Sequence, residues 1–329
     1  MKPLRMCPSR CRGFVLAELA AIIVVIGVVM ALLFTLGSRS RSLSSLGETN
    51  TNLRQLSAGI AQFASDHQNQ CVSYTWRRGT SDTPYEDLRN ASTDVQAAAN
   101  QAVAIIRSRG DLPQLQRITS WVPHLAYNHL PLFDYLGIAL PSRTALSPED
   151  KPRLAWALDR SQWDTGVNAF YRLPFTSSYE FTIEFMSSPG DVNQDGLTYN
   201  IYKVANVEFG FRRLDEITYP SFKAVLYDRH QRHFGSRRPF FMHEEARVPV
   251  AAADQSVATH RSTIGNQGWK PHDPDNPNPS IIDYYPSTAS AFAWDPPALD
   301  PSGTDIVPGR YRYTRGGLAG RDFDASEVP

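Results

Sequence analysis

The period of the apolar positions changes along this chain, and each change predicts an element. From Leu19 to Leu36 the only polar side chain is Thr35. A run without polar interruption reads as an apolar helix. Phe14 to Leu36 would be roughly 35 Å long at 1.5 Å per residue, enough to cross a bilayer. Beyond it, Leu46, Leu53, Leu56, Ile60 and Phe63 recur at intervals of seven, three, four and three. That spacing is one stripe of a helix, with Arg54, Gln55, Gln62 and Asp66 off the stripe. The pattern predicts one long helix from 14 to 68. Its first half, 14–36, is expected to span a membrane, and its outer half, 37–68, to lie on a globular domain of residues 69–329. Gly37 and the Ser-rich stretch to Ser45 predict a kink or a weakened turn.

The next signals are mixed. Ser92 to Arg109 reads as a helix, with Val95, Ala98, Ala102, Ile105 and Ile106 on one side and Ser92 as its cap. Leu130 to Leu140 is a second apolar segment, bounded by Pro131 and Pro141. From Ser178 the period becomes two: Tyr179, Phe181, Ile183 and Phe185 alternate with Glu180, Thr182 and Glu184. Thr198–Val207, Lys223–Tyr227, Val248–Ala253 and Ser256–His260 are further strand candidates. An antiparallel sheet laid against the long helix gives an α+β fold with large loop and helix insertions. From Gly268 onward Pro271, Pro274, Pro277, Pro279, Pro286, Pro296 and Pro297 predict a tail rich in loops.

Charge sharpens the N-terminal picture. The chain of 329 residues has 33 basic and 33 acidic side chains. Lys2, Arg5, Arg10 and Arg12 precede Gly13 with no acid among them. Glu18 then sits just inside the apolar run. A carboxylate at the centre of a bilayer helix costs roughly 2.5–3.5 kcal/mol on insertion scales, and less toward the ends. A chain that keeps one there needs a partner for it. A cleaved secretory signal has an apolar core of only about 7–15 residues, shorter than this run. A plain anchor fits the length but gives Glu18 no reason.

Gly13-Phe14-Val15-Leu16-Ala17-Glu18, with its basic leader and apolar sequel, resembles the precursor of a type IV pilin or type II secretion pseudopilin. The resemblance implies cleavage of residues 1–13 by a prepilin peptidase after Gly13 and N-methylation of Phe14. It also implies that Glu18 pairs with the Phe14 amine of a neighbouring subunit during assembly. Further on, His243-Glu244-Glu245 and then Asp254-Gln255 are similar to a C-terminal pattern of an expanded bacterial group of pilin-like proteins. In that group a His is followed after nine residues by Asp-Gly at a hairpin tip. Here the gap is ten and Gln255 replaces Gly, a poor residue for positive φ. Gly309-Arg310-Tyr311-Arg312-Tyr313-Thr314-Arg315 also looks like this group's tail.

If the leader leaves with its four cations, the mature chain carries 29 basic against 33 acidic residues. No basic stripe suggests nucleic acid. Hydrophobic residues at 42% are adequate for a packed core. Cys7 and Cys11 lie in the leader, so the mature chain has only Cys71 and no internal disulfide. Cys71 is expected to fill a gap in the core at the end of the long helix.

Asp191-Val192-Asn193-Gln194-Asp195-Gly196 is the best candidate ligand site. Asp191, Asn193 and Asp195 at alternate positions, closed by Gly196, form the first half of a calcium loop. The second half fails, because position twelve is Tyr202 where a bidentate Glu belongs. A polar hairpin turn uses the same residues. His230, His233 and His243 cluster near Asp228, Glu244 and Glu245. Arg229 and Arg232 stand among them, so they read as surface or hydrogen-bonding residues and not as zinc ligands. Arg310, Arg312 and Arg315 interleaved with Tyr311 and Tyr313 read as an edge strand or as a contact for an acidic partner.

No nucleophile elbow, phosphate loop or dinucleotide fingerprint occurs, and the chain is expected not to be an enzyme. The expectation is a structural subunit, minor or specialised, of a type II secretion pseudopilus or type IV pilus-like filament. Its partners would be other pilin or pseudopilin subunits and the prepilin peptidase. It would sit in the inner membrane as a single-pass protein with its C-terminal domain in the periplasm. The alternative is a membrane-tethered extracytoplasmic protein that binds calcium or another ligand such as carbohydrate and uses the segment only as an anchor.

Overall fold

The structure is a computed structural model that describes residues 16–119, 121–123, 126–137, 140–159, 161, 163, 175–186, 212–268, 280–286, 294–312, 314 and 316–323. The chain divides into two compact units, Met1–Ser44 and Ser45–Pro329. One helix, α1 (Leu16–Asp66), contributes to both. The helix is continuous through Gly37 and the Ser-rich stretch.

The expected membrane-spanning first half requires correction. Among the described residues no helix is long and apolar enough to cross a membrane.

The Ser45–Pro329 unit is α+β, and the outer part of α1 explains how it is organised. Leu53, Leu56, Ile60 and Phe63 are all buried, as the stripe requires. They pack on Tyr179, Phe181, Phe185, Leu226, Ala251 and Leu318. Leu46, the first member of the stripe, is only half-buried. Gly59 lets the helix approach a neighbour closely: a Cβ there would lie 3.1 Å from Leu136 Cδ2. Gln68 and Asn69, with φ of 55° and 66°, turn the chain out of the helix. The Asn69 N–H donates back to the Ala64 carbonyl at 2.7 Å. Cys71 is buried directly after this turn, where it was expected.

A second helix, α2 (Asp94–Arg109), starts one residue later than its expected cap, because the Thr93 side chain and not Ser92 accepts the Gln96 N–H. It packs into an aromatic core with Trp121, Trp156, Phe133 and Phe175. The apolar segment from Leu130 is a short 3-10 turn, Leu130–Leu132, continued by α3 (Phe133–Leu136), which Gly137 ends at φ 62°. A fourth helix, α4 (Lys151–Leu158), was not foreseen.

The main sheet is an antiparallel meander of β1 (Tyr179–Phe181), β2 (Ala224–Asp228), β3 (Arg247–Ala252) and β4 (Val257–Arg261). Three of these strands fall within a residue of their predicted positions. The fourth, β1, is shorter than its pattern, since Ile183–Met186 turns into a 3-10 helix. The polar positions of that pattern are not solvated: Glu180, Thr182 and Glu184 are as buried as the aromatic residues between them. Asp254 and Gln255 sit at the β3–β4 hairpin tip, and Gln255 takes a left-handed φ of 69°. A second, two-stranded sheet of β5 (Ile281–Tyr284) and β6 (Asp305–Pro308) lies in the tail read as loop. The strand expected at Thr198–Val207 lies outside the described residues.

Candidate functional site

Most of the residues singled out for assembly or metal binding lie outside the described residues. Gly13 and Phe14, and the calcium-loop residues Asp191, Asn193 and Asp195, lie outside the described residues. Glu18 lies on the first turn of α1, and its side chain is likewise outside them. Every residue from Leu19 to Met30, directly beyond Glu18, is exposed. The exposure of the large side chains runs from 41% at Ile22 to 65% at Val24. Twelve residues make more than three turns, so the apolar surface goes all the way round the helix. A helix that is apolar all round needs an apolar environment, and large exposed apolar patches mark interaction sites.

Where α1 enters the Ser45–Pro329 unit, its polar side chains are held by a histidine. Ser45 Oγ lies 3.2 Å from His233 Nδ1, and Thr49 Oγ1 lies 3.0 Å from His233 Nε2. Thr49 also reaches Ser147 Oγ at 3.3 Å. One turn on, Asn52 Nδ2 donates to the Leu146 carbonyl at 3.1 Å and to Tyr179 Oη at 3.3 Å. His233 uses both ring nitrogens with hydroxyl partners, an arrangement that suits the neutral ring. Burial, with Arg232 and Arg238 nearby, lowers its pKa to about 4. The histidines are therefore not all surface groups. His230 is fully buried, with Nε2 2.9 Å from Tyr284 Oη, and His233 is buried as well. His243 is half-buried and accepts the Glu245 N–H. Among the described residues no group of acidic, His or Cys side chains could hold a metal.

The arginines beside these histidines have another use. Arg153 donates to Asp150 at 2.8 Å, to Asp295 at 2.9 Å and to Thr176 at 2.9 Å. Asp295 also accepts from Arg229 at 2.7 Å. Arg229 pairs with Glu180, and Arg312 reaches the other Glu180 oxygen at 2.5 Å. Arg232 joins Asp150 at 2.8 Å and also Asp228. The network ties α4, β1, β2 and the tail together inside the unit. Burial pushes the Asp150 carboxyl up, but Arg232 and Arg153 outweigh it and hold the pKa at about 2. At Asp228 burial wins over Arg232, and the pKa rises to about 6. A smaller cluster has Lys223 Nζ between Asp322 at 3.1 Å, Glu184 at 3.6 Å and Thr314 at 2.7 Å. Arg310, Tyr311 and Arg312 are buried, so this part of the basic-aromatic strip is internal, while Tyr313 and Arg315 lie outside the described residues.

Sequence reasoning missed this network. Asp150 and Arg153 three apart, and Asp228 and Arg232 four apart, were its local signal. It also missed an open cleft of about 300 Å³ beside α2. Trp76, Tyr85 and Tyr135 line it, each half-buried, with Gln101 in its wall and Asp82 and Asp134 on its rim. These residues are far apart in sequence and share no period. Compared with family models, with curated proteins and with solved structures, the chain matches none.

Proposed function

We propose that this chain is a structural subunit of a type II secretion pseudopilus or type IV pilus-like filament, cut by a prepilin peptidase after Gly13. The observation that carries the reading is the exposed apolar surface of Leu19–Met30, directly after Phe14 and Glu18. Nine large side chains there are about half exposed. Burying the exposed part of each gains about 1 kcal/mol, so roughly 9 kcal/mol in all. Association costs about 4–15 kcal/mol in lost freedom. A single partner covers one side of a helix and recovers only part of that gain. A helix surrounded by several copies recovers most of it, which favours a many-neighbour assembly over a dimer.

Glu18 has a defined task in this reading. It meets the Phe14 amine of a neighbouring copy within the apolar layer. The two opposite charges offset each other's desolvation, and the pairing sets the axial register. The hairpin tip at Asp254 and Gln255 adds support, since the related pilin-like pattern has its Asp at such a tip. The Ser45–Pro329 unit lies on the extracytoplasmic side, and the chain does no chemistry of its own.

The test is Glu18→Ala in the native host. It should abolish recovery of the chain in sheared filaments or in cross-linked oligomers. The thermal unfolding of the Ser45–Pro329 unit should not change. Normal incorporation of the variant would overturn the reading.

A further inference from the structure

The cleft beside α2 is independent of the assembly surface, and its chemistry points to a ligand. Trp76, Tyr85 and Tyr135 present aromatic surface to a space of about 300 Å³, at the lower end of the range for small-molecule sites. Asp82 and Asp134 stand on the rim. The side chain of Gln101 is fixed at both ends: its Nε2 donates to Thr75 Oγ1 at 3.0 Å, and its Oε1 accepts the Trp76 N–H at 2.9 Å. That pair of bonds fixes the wall on which Trp76 stands.

Charge decides between ligand classes. The lining contains two aspartates and one histidine, His67, and no Lys or Arg. An anion would enter against the carboxylates, so phosphates and acidic sugars are disfavoured. A small organic cation would use the aromatic faces, but here one ring and one carboxylate are already served by protein cations. The Arg107 guanidinium lies 5.0 Å from the centre of the Tyr85 ring, and Arg109 is paired with Asp134. A neutral ligand fits what remains: an apolar face to stack on a ring, and a hydroxyl donor for Asp82. A pyranose has both. Its C–H face is apolar and slightly positive, which suits the negative face of an aromatic ring. Its hydroxyls donate to carboxylate oxygens in bonds stronger than neutral pairs.

We infer that this cleft binds neutral saccharide units, with Trp76 as the stacking platform and Asp82 as the principal hydroxyl acceptor. The inference goes beyond the assembly reading and stands or falls apart from it.

The experiment is saturation-transfer NMR on the full-length chain, held in a detergent without a sugar headgroup. The probes are cellotriose, maltotriose and N-acetylchitotriose, each taken to about 10 mM, well above the ~1 mM Kd of a weak site. Sialyllactose and tetramethylammonium are the charged comparisons. The expected result is transfer to the ring C–H protons of at least one neutral trisaccharide. Trp76→Ala should weaken binding at least tenfold, and Asp82→Asn should weaken it less. Trp76 touches the α2 core, so Ser108→Arg serves as a second variant. It changes an exposed helix position on the cleft wall and should block the cleft while leaving the far-ultraviolet circular dichroism unchanged. No transfer to any neutral probe would overturn the inference. So would binding that Ser108→Arg leaves intact, or binding of only tetramethylammonium or sialyllactose.

Discussion

Asp295→Ala would expose how far the fold depends on its buried charges. Asp295 has no exposed side-chain surface and bridges two cations, Arg153 at 2.9 Å and Arg229 at 2.7 Å. Removing it leaves each guanidinium with one fewer anion in a site that water does not reach. Breaking a buried pair by deleting one partner costs about 3–5 kcal/mol, because the remaining charge stays desolvated. Arg153 keeps Asp150 and Arg229 keeps Glu180, so the lower half of that range, about 3 kcal/mol, is expected. The assay is urea unfolding of the variant and the parent chain at pH 7, monitored by circular dichroism. Arg153→Met, alone and together with Asp295→Ala, completes a double-mutant cycle, with an expected coupling of about 1–3 kcal/mol. A loss under about 1 kcal/mol for Asp295→Ala, together with no coupling, would show the network to be hydrated and refute the reasoning.

Single contacts carry the other expectations. His233 has a folded pKa near 4, below its ordinary value near 6.5, so the unfolded chain binds the extra proton between these values. Its contribution is present above about pH 6.5 and is lost as pH falls toward 4, by up to about 3 kcal/mol. Asp228, raised to about 6, acts in the opposite sense over the same interval, since its protonation favours the folded state. Stability curves of the parent and His233→Gln should therefore converge as pH falls from about 7 to about 4.5; parallel curves would contradict the assignment. Gln255→Gly should raise stability by about 0.5–1 kcal/mol by relieving the left-handed φ at the hairpin tip, seen as a higher Tm in thermal melts. Leu56→Ala should cost about 2–5 kcal/mol in urea unfolding, because Leu56 lies in the seam between α1 and the sheet.

The elements with strong local period were legible in the sequence. The outer stripe of α1 and strands β2, β3 and β4 need only spacing to be found, and they lie within a residue or two of their expected places. What failed was the inference from polarity to exposure. Glu180 and Glu184 alternate with aromatic residues as a solvated face would, yet both are buried. Their cations, Arg229, Arg312 and Lys223, come from the end of β2, the tail and the segment before β2. No local pattern encodes a pairing across that distance. The cleft was hidden for the same reason. Trp76, Tyr85 and Tyr135 belong to separate loops and a short helix, and only the fold places them round one space. The hairpin of β5 and β6 was masked by the prolines around it, which limit the length of strands and do not forbid them. The expected membrane span rested on the apolar length of residues 14–36, and among the described residues no helix is long and apolar enough to cross a membrane.

The central claim is that the chain is a processed filament subunit, and the N-terminus tests it most directly. The measurement is intact mass with N-terminal sequencing of the protein isolated from its native cells. The account predicts a chain that begins at Phe14 and carries one added methyl group. A chain that still carries residues 1–13 would contradict it.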